Sequence, residues 1–428
     1  MKALNYILGY SILVFLAISK LHAQNISYSP WLNLTEQRNM PPEVVLQHSN
    51  NNLDIIKFQD KYYVAFRTAP THFASKKAML YIISSTDLKT WKYEYTIAMK
   101  SDLREPRFAI LKDSLYLYYF RGGTKMLKFE PKEVLVTVTK GNKDWTAPST
   151  IGIDGYVPWR LRNKDNKLFL SAYYGKELYN SKHQSDLRLL SSTDGRHFTR
   201  LSDKPQINIK TAEEGEFIFD RKEDLYATVR LEGSGSLICK AEKDSLEKWK
   251  FKRYKYKYDS ALLFAHNDDI YLISRRNMDG PIDKTKDTAQ SAPKIETTQY
   301  ESLSTNEIKD LSQNKDSTLP MKPITIQQVD VKDKKAKKVK DHRNKHLIRY
   351  SFTRKRTALF KFDKENLNVE PILDFPSTGD CSYPAIQQMN EHEYLVMNYS
   401  SDIHKKEKNW IRGQLGKTYI YWTILKFQ

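Results

Sequence analysis

A short strand-like pattern repeats six times along the chain, and it limits the possible folds more than any other feature. Each copy is a polar turn followed by an aromatic or aliphatic strand that ends in Arg or Tyr. The strand-ending residues are Arg67, Arg121, Tyr173, Arg230, Arg275 and Tyr399, and the first five lie 54, 52, 57 and 45 positions apart. A period of about fifty residues with almost no helical pattern predicts an all-β fold, a six-bladed β-propeller with four strands per blade.

The last interval of 124 residues fits this repeat only if an inserted segment is left out of it. Residues 279–346 are rich in Lys, Asp, Thr, Ser and Gln and cannot bury enough apolar surface to form a core. We therefore predict a disordered insertion within a propeller domain that covers residues 24–428. Much of the net charge of +19 falls between Lys332 and Arg356. This charge is interpreted as a solvated basic loop, with contact to an acidic polysaccharide or an anionic envelope surface as the alternative.

The N-terminus has the three-part pattern of a secretory signal peptide in residues 1–23. Lys2 supplies the positive charge, an apolar run follows from Ile7 to Ile18, and Ala23 is the small residue before the cleavage point. We predict export to the periplasm or the cell exterior, with no integral membrane segment after cleavage. An uncleaved anchor is the alternative. Because the protein is predicted to be exported, nucleic acid is not expected as its partner.

Cofactor motifs are not found in the sequence. Cys239 and Cys381 are too few for a disulfide scaffold, and neither has the neighbours of a zinc site. The chain has no Gly-rich phosphate loop, no metal-ligand spacing and no nucleotide motif, so we predict neither a metal nor a cofactor. The oligomeric state is not predicted.

Two turns share the sequence Ser-Thr-Asp ahead of an aromatic residue. They run from Ser85 to Trp91 and from Ser192 to Phe198. Asp suits such a turn because its carboxylate accepts hydrogen bonds from nearby backbone amides. Both turns resemble the Asp-box, or BNR repeat, of the sialidase (neuraminidase) superfamily, and they lie in phase with the six strands. They are evidence about the fold and carry no chemistry.

The order of motifs in the second half also resembles a sialidase-superfamily propeller. Glu214 opens one blade, Arg230 ends its next strand, Arg275 ends a strand of the following blade, and Tyr383 lies on the last blade. The resemblance implies that Tyr383 is the nucleophile and that Glu214 is the general base. It also implies that Arg230 and Arg275 bind the substrate.

Two of these assignments have alternatives. A phenol is a weak nucleophile unless a carboxylate accepts its proton, and Glu213 and Glu216 compete with Glu214 for that role. The alternative for Tyr383 is a structural phenol that faces the barrel.

The first half resembles an uncharacterised branch of the same superfamily. From the resemblance we predict that Arg67, Arg104, Glu105 and Arg160 bind the substrate. His72 stands where a typical sialidase has its Asp acid/base, and a histidine can exchange protons near neutral pH. Structural ion pairing and blade packing are the alternatives for these residues.

The first blade departs from a typical sialidase because Asn50–Asp54 lacks the Arg that completes the carboxylate-binding triad. Together with His72, this departure argues against sialic acid itself as the substrate. We predict an exported, exo-acting, sialidase-like glycoside hydrolase whose arginines bind an acidic sugar. The alternatives are a non-catalytic carbohydrate-binding propeller, a uronic-acid-specific polysaccharide lyase, and a scaffold that holds a partner through the basic insertion.

Overall fold

A computed structural model describes residues 25–175, 186–209, 211–282, 296–297 and 344–428. The predicted signal peptide, residues 1–23, lies outside the described residues. Most of the predicted insertion also lies outside them, namely residues 283–295 and 298–343. Within the described parts, no helix is long and apolar enough to cross a membrane.

The described chain is built almost entirely from strands. The first thirteen are β1 (Ile26–Tyr28), β2 (Leu32–Asn33), β3 (Ser49–Phe58), β4 (Lys61–Ala69), β5 (Met79–Ser85), β6 (Lys92–Ile97), β7 (Asp102–Leu111), β8 (Ser114–Gly122), β9 (Pro131–Thr139), β10 (Ser149–Thr150), β11 (Tyr156–Lys164), β12 (Lys167–Tyr174) and β13 (Leu187–Ser192). The others are β14 (Thr199–Arg200), β15 (Ala212–Phe219), β16 (Leu225–Leu231), β17 (Ser236–Ala241), β18 (Lys250–Tyr254), β19 (Asp259–His266), β20 (Asp269–Asn277), β21 (Glu296–Thr297), β22 (Lys355–Asp363), β23 (Asn368–Asp374), β24 (Ser382–Gln388), β25 (Glu393–Ser401) and β26 (Thr418–Phe427). The helical segments are the 3-10 turns Gln37–Asn39 and Lys243–Ser245 and the short helices α1 (residues 344–351) and α2 (Trp410–Gln414).

The strands form five sheets, of which four are separate antiparallel units. Their strand orders are β10-β9-β8-β7, β11-β12-β13-β14, β15-β16-β17-β18-β21 and β19-β20-β22-β23. The fifth sheet has nine strands in the order β24-β25-β26-β3-β4-β5-β6, and β1 and β2 also pair with β26. Within this sheet β26 and β3 are joined by a single parallel pair, Thr418 with Ser49. The protein is therefore all-β, and its sheets have a propeller arrangement.

Neighbouring sheets pack face to face through apolar side chains. Tyr63 and Ile82 of β4 and β5 share one buried cluster with Leu117 of β8. Phe264 of β19 lies in another buried cluster with Phe427 of β26. Burying a large apolar side chain contributes about 1.5–3 kcal/mol, so these contacts between sheets supply much of the stabilisation. The strands are rich in aromatic and β-branched residues because both of their faces are covered.

The two Ser-Thr-Asp turns have the same hydrogen-bonding pattern. In the first, Oδ1 of Asp87 accepts from the amides of Lys89 and Thr90, both at 2.8 Å, and from the Ser85 hydroxyl. In the second, Oδ1 of Asp194 accepts in the same way from the amides two and three residues later and from Ser192. The residue after Asp has positive φ in both turns. The two turns are thus the same local structure, built by the same residue types.

The first strands of the repeating units form a closed ring, here called the inner ring. It consists of β3, β7, β11, β15, β19 and β24. Each of these strands contacts the next, and β24 contacts β3. Residues near the start of each strand are thereby brought together, although they are far apart in the sequence.

Candidate functional site

The inner ring carries a repeated irregularity near the start of its strands. Each of the six strands has a β-bulge or register shift there. In five of them the bulge includes a non-glycine residue with φ between 40° and 56°, namely Asn52, Glu105, Glu214, Ser260 and Tyr383. A left-handed backbone costs such residues about 1–3 kcal/mol each, and it persists only where the surrounding structure enforces it. Bulges re-aim side chains, and strain of this kind clusters at functional sites.

Tyr383 and Glu105 interact within this set. Burial raises the pKa of the Tyr383 phenol well above its usual value, and the nearby Glu105 carboxylate adds to this effect, opposed by the Arg107 guanidinium. Among the described residues, the buried Tyr383 hydroxyl and Oε2 of Glu105 each have no hydrogen-bond partner of good geometry. Burial raises the pKa of Glu105, opposed by the nearby Arg107 guanidinium and by the Tyr383 hydroxyl. When ionised, Glu105 is therefore a stronger base than an ordinary carboxylate.

A cation and an indole fix the Tyr383 ring. The Arg107 guanidinium lies 4.2 Å from the centre of the Tyr383 ring and 5.1 Å from that of Trp159. Trp159 and Tyr383 make an edge contact with their centroids 5.7 Å apart. Nε of Arg107 donates to the backbone carbonyl of Trp159 at 2.6 Å. These contacts restrict the phenol to one position beside Glu105.

Glu105 has a further partner in Asn52, the strained residue of the neighbouring strand. Nδ2 of Asn52 donates to Oε1 of Glu105 at 3.2 Å. Glu105 also lies close enough to Glu214 for the two carboxylates to repel each other, which contributes to the raised pKa of Glu105. The strained residues of three different sheets therefore meet at one place.

His72 and Asp380 form a second acid–base pair. Nδ1 of His72 lies 2.7 Å from Oδ2 of Asp380, and the imidazole is partly exposed whereas the carboxylate is fully buried. Oδ1 of Asp380 accepts from the Tyr399 hydroxyl at 3.0 Å and from Nε1 of Trp410 at 3.1 Å. Burial lowers the pKa of His72 below 6.5, opposed by Asp380. Because Nδ1 faces Asp380, Nε2 is the nitrogen left for proton exchange.

Asp102 holds two of the predicted arginines. Its Oδ1 accepts from Arg67 Nη2 at 2.7 Å and its Oδ2 from Arg104 Nε at 2.5 Å. Arg67 is completely buried and also donates to Asn51 and to two backbone carbonyls. Arg104 keeps some exposure, and its Nη2 donates to the carbonyl of His72 at 2.7 Å. Asp102 therefore connects Arg67 to the backbone of His72 through Arg104.

Arg230 is surrounded by carboxylates. It contacts Glu213 at 2.6 Å, Glu214 at 2.5 Å, Glu232 at 3.1 Å and Asp259 at 3.7 Å. Burial raises the pKa of Glu213, with like charge from its neighbours adding to the effect and Arg230 opposing it. Glu214 also accepts from the amide of Ser260 at 2.7 Å. Since Arg230 and this amide both donate to Glu214, its side chain is fixed in place.

Asp259 connects Arg230 to Arg275. Oδ2 of Asp259 lies 3.5 Å from Arg275 Nε and accepts a hydrogen bond from the buried Tyr350 hydroxyl of α1. Arg275 donates to the carbonyl of Cys381 at 3.2 Å and lies 5.0 Å from the centre of the Trp410 ring. Arg275 is thus held by protein groups on several sides.

Arg160 belongs to a third ionic group, with Asp54, Arg162 and Glu216. Its Nε donates to Glu216 Oε2 at 2.5 Å, and Nη1 lies 4.0 Å from Asp54. Arg162 donates to the other oxygen of Glu216 at 2.8 Å. Burial raises the pKa of Asp54, opposed by Arg107 and Arg160. Glu216 is completely buried between two arginines, a setting that suits a structural anchor.

Most residues singled out from the sequence come together, and Arg121 does not. The residues that the structure brings to one region are Arg67, His72, Arg104, Glu105, Arg160, Glu214, Arg230, Arg275 and Tyr383. Of the other strand-ending residues, Tyr399 bonds to Asp380, Tyr173 is buried near Glu213 and Glu214, and Arg121 pairs with Glu133 at 2.5 Å on a partly exposed strand. Within the described ranges no cluster of His, Cys, Asp and Glu could hold a metal ion.

Several polar residues of the site received no role from the sequence. Among them are Asn52, Asp102, Arg107, Ser260 and Asp380. Asp102 stands two residues before Arg104, and Asp380 three before Tyr383, so proximity to the predicted residues was the available signal. Asn52 and Ser260 could be found only by aligning the six units, because a bulge has no signature in a single strand.

A cavity of about 400 Å³ is lined in part by Tyr350, the residue that also bonds to Asp259 of the site. It is lined by Tyr254, Tyr256, Phe360 and other residues of the fourth and fifth units. Only Tyr350 and Lys257 belong both to this cavity and to the ionic network around Asp259. The acid–base pairs lie elsewhere, so the chemistry is not assigned to this cavity.

The chain is similar in structure to several solved proteins. A protein of unknown function from Dyadobacter fermentans DSM 18053 is 12% identical with a TM-score of 0.61, over 94% of this chain and 99% of the other. Trypanosoma rangeli sialidase is 10% identical with a TM-score of 0.57, and its complex with sialic acid has a TM-score of 0.55. The similarity covers 94% of this chain but only 60% and 59% of those two sialidase chains.

No family model matches the sequence, and no curated protein matches it. At such low identities the structural similarity is evidence for a sialidase-like fold alone. Any activity therefore has to be argued from the site residues.

Proposed function

We propose that this protein is a glycan-cleaving enzyme, a sialidase-like glycoside hydrolase, whose reactive groups are Tyr383, Glu105 and the His72–Asp380 pair. The observation that carries the proposal is that the Tyr383 phenol and the Glu105 carboxylate, two residues in strained backbone on different strands of the inner ring, are buried close enough to shift each other's pKa. A phenol beside a basic carboxylate is the arrangement that nucleophilic catalysis by Tyr requires. Sialidases are the glycosidases in which a Tyr takes the nucleophile's place.

A six-bladed propeller, the fold expected of a sialidase-like enzyme, requires that the nine-stranded sheet consist of two blades. The parallel link between β26 and β3 is a single residue pair, and the inner ring contains six strands. We accordingly propose six blades, with the last completed by β1 from the N-terminal end of the domain. The matching turns at Asp87 and Asp194 then correspond to Asp-boxes, or BNR repeats.

In the proposed reaction the Tyr383 oxygen attacks the anomeric carbon of the sugar while Glu105 accepts the phenol proton. The bond to the leaving oxygen breaks, and protonated His72 donates the proton from Nε2 to that oxygen. A water molecule then attacks the same carbon while neutral His72 accepts a proton from it, the bond between that carbon and the Tyr383 oxygen breaks, and Glu105 returns its proton to the Tyr383 oxygen. The sum of the two steps is addition of one water across the glycosidic bond.

The sequence prediction that Glu214 is the base remains a prediction alongside this assignment. Both oxygens of Glu214 are occupied by Arg230 and the amide of Ser260, whereas Glu105 lies near the phenol and its Oε2 has no hydrogen-bond partner among the described residues. We therefore assign proton transfer from Tyr383 to Glu105 and positioning of the substrate to Glu214. Exo cleavage, an acidic sugar, a signal peptide and export stay predictions from the sequence.

The test is cleavage of a panel of oligosaccharides that end in neutral sugars, uronic acids or sialic acid. We expect release of a terminal sugar by the wild type and loss of release in Tyr383→Phe and Glu105→Gln. Tyr119→Phe is the matched control, because Tyr119 is also buried and lacks a hydrogen-bond partner among the described residues but lies outside the inner ring. Product mass separates hydrolysis from elimination, which would indicate a lyase. Binding without cleavage by the wild type would indicate a non-catalytic carbohydrate-binding propeller instead.

A further inference from the structure

We infer that Trp410 is a positioning residue, which acts through Asp380 to hold the imidazole of His72 in place for proton transfer. The inference rests on the proposed function, in which His72 exchanges protons with the leaving oxygen and with water. Trp410 received no role from the sequence or from the resemblance. The contacts of α2, the helix that carries Trp410, and those of the Asp380 carboxylate support it.

The helix α2 lies directly on the backbone beside Asp380. Gly413 is buried in α2, and a Cβ atom at its position would overlap the amide nitrogen of Asp380 and the carbonyl carbon of Gly379. At the end of the helix, the Gln414 carbonyl accepts a hydrogen bond from the amide of His72 at 3.4 Å. The helix therefore contacts the backbone of both members of the acid–base pair.

The two oxygens of Asp380 have different partners. Oδ1 accepts from Nε1 of Trp410 at 3.1 Å and from the Tyr399 hydroxyl at 3.0 Å, whereas Oδ2 lies 2.7 Å from Nδ1 of His72. Asp380 is fully buried, so water does not replace either Oδ1 donor at the surface. Because two donors hold Oδ1, the carboxylate is fixed with Oδ2 toward the imidazole.

Trp410 is itself held on several sides. The guanidinium of Arg275 lies 5.0 Å from the centre of its ring, and the ring of Tyr350 makes an edge contact with centroids 5.3 Å apart. Its backbone amide donates to the carbonyl of Thr353 at 3.1 Å. A side chain restricted in this way presents its indole N–H at one place, so Trp410 is preorganised to hold Asp380.

The other groups that face His72 act on it in the opposite sense to Asp380. Arg67 and Arg104 place positive charges near the imidazole and oppose its protonation, and Nδ2 of Asn51 lies 3.5 Å from Nδ1. Asp380 favours protonation. The affinity of the imidazole for a proton therefore depends on how much negative charge Asp380 presents to it, and the two Oδ1 donors share that charge.

Removal of either Oδ1 donor should raise the pKa of the imidazole. With one donor fewer, Asp380 attracts the protonated imidazole more strongly, whereas Asp380→Asn removes the attraction and should lower the pKa. Looser packing would also raise this pKa, because burial lowers it. The Asp380→Asn background separates the two causes, since an effect that acts through the carboxylate disappears there and an effect of hydration remains.

The experiment follows the His72 imidazole by NMR titration of the protein and of its variants. Trp410→Phe is compared with the wild type, with Asp380→Asn and with the double variant Trp410→Phe/Asp380→Asn. Tyr399→Phe removes only a hydroxyl from the same oxygen, so it tests the inference even if Trp410→Phe does not fold. Trp145→Phe is the matched control, because Trp145 is buried in a cluster outside the inner ring and should leave the titration unchanged.

We expect the titration midpoint of His72 to move to higher pH in both Trp410→Phe and Tyr399→Phe. In the Asp380→Asn background, Trp410→Phe should cause no further change. On a substrate found in the panel, kcat of Trp410→Phe should fall about tenfold, and the high-pH side of its profile should move with the midpoint. An unchanged or lower midpoint in Trp410→Phe, or a change of equal size in the Asp380→Asn background, would overturn the inference.

The titration needs no substrate, so its outcome is separate from that of the proposed function. If no glycan is cleaved but the midpoint moves as expected, the enzyme is rejected and the role of Trp410 toward His72 stands. If a glycan is cleaved and the midpoint of Trp410→Phe stays in place, the enzyme stands and the role of Trp410 is rejected.

Discussion

Nδ1 of His72 lies 2.7 Å from Oδ2 of Asp380, although the two residues belong to opposite ends of the chain. The sheet that contains β3, β4 and β24 brings them together, since His72 follows β4 and Asp380 precedes β24. An imidazole held this way has a fixed tautomer and one nitrogen free for proton exchange. Closure of the propeller and assembly of this pair therefore depend on the same sheet.

The proposed mechanism predicts a bell-shaped pH dependence with its maximum at mildly acidic pH. Activity should rise as Glu105 loses its proton, at a pH above the ordinary Glu value because the pKa of Glu105 is raised. It should fall as His72 loses its proton, below about pH 6.5 because burial lowers the pKa of His72. The profile of kcat/KM for the substrate found in the panel measures both limbs.

Asp380→Asn tests which group causes the loss of activity on the high-pH side of the profile. The negative charge of Asp380 raises the pKa of His72, so its removal should move that limb to lower pH and reduce kcat by about 10²-fold or more. The imidazole pKa, followed by NMR, should fall in parallel. Asp402→Asn is the control, since Asp402 lies outside the inner ring. A falling limb that stays in place in Asp380→Asn would rule out His72 as the acid.

Tyr383 and Glu105 are expected to act as one unit. Tyr383→Phe and Glu105→Gln should each reduce kcat by at least about 10²-fold, and the double variant should be little worse than either single one. The measurement is a double-mutant cycle on kcat. Multiplicative losses would mean that the two side chains act independently, and a similar non-additive cycle between Tyr383→Phe and Glu214→Gln would favour Glu214 as the base.

The fold could be predicted from the sequence because its signals are local. Each unit has an Arg or Tyr one or two residues before the end of a strand, and Asp87 and Asp194 bond to amides only two or three residues away. Such patterns need no knowledge of distant contacts. The propeller arrangement follows from repeating them, although the number of blades stays a proposal.

The site could be predicted only in part, because its pairings are long-range. The resemblance indicates Tyr383, Glu214 and His72 as catalytic and Glu105 as substrate-binding, but the bulges of two different strands place Glu105 near the phenol. Likewise, the resemblance assigns Arg230 to substrate binding, whereas the folded chain surrounds it with four carboxylates. Burial and ion pairing of this kind are properties of the assembled ring rather than of any single strand.

The buried Glu213 carboxyl makes stability depend on pH. Its pKa is raised in the folded state, so its contribution is complete below the unfolded value of about 4.3 and is lost as pH rises through the folded pKa. Glu213→Gln should therefore lose less unfolding free energy than the wild type between pH 5 and pH 9. Urea unfolding at several pH values measures this difference.

Glu393→Gln is the matched control for Glu213. Glu393 bonds to Lys426 on the surface, which lowers its pKa, so its contribution is lost only as pH falls below the ordinary Glu range. Its substitution should leave the change between pH 5 and pH 9 as in the wild type. If Glu213→Gln also tracked the wild type over that range, Glu213 would not carry this pH dependence.

Ser382 combines two unfavourable features, and Ser382→Gly should remove both. Its φ is 97°, which favours glycine, and its buried hydroxyl has no hydrogen-bond partner among the described residues. Relief of backbone strain and loss of the unsatisfied hydroxyl outweigh the extra chain entropy of glycine in the unfolded state, so we expect about 1 kcal/mol of added stability. Ser382→Ala removes only the hydroxyl and should gain less.

Thermal or urea unfolding of the two variants measures the difference, and a Ser382→Gly variant less stable than Ser382→Ala would show that the strained backbone is not costly here. Since Tyr383 follows directly, a Ser382→Gly variant that gains stability but loses activity would further show that the strain at this bulge holds the phenol beside Glu105.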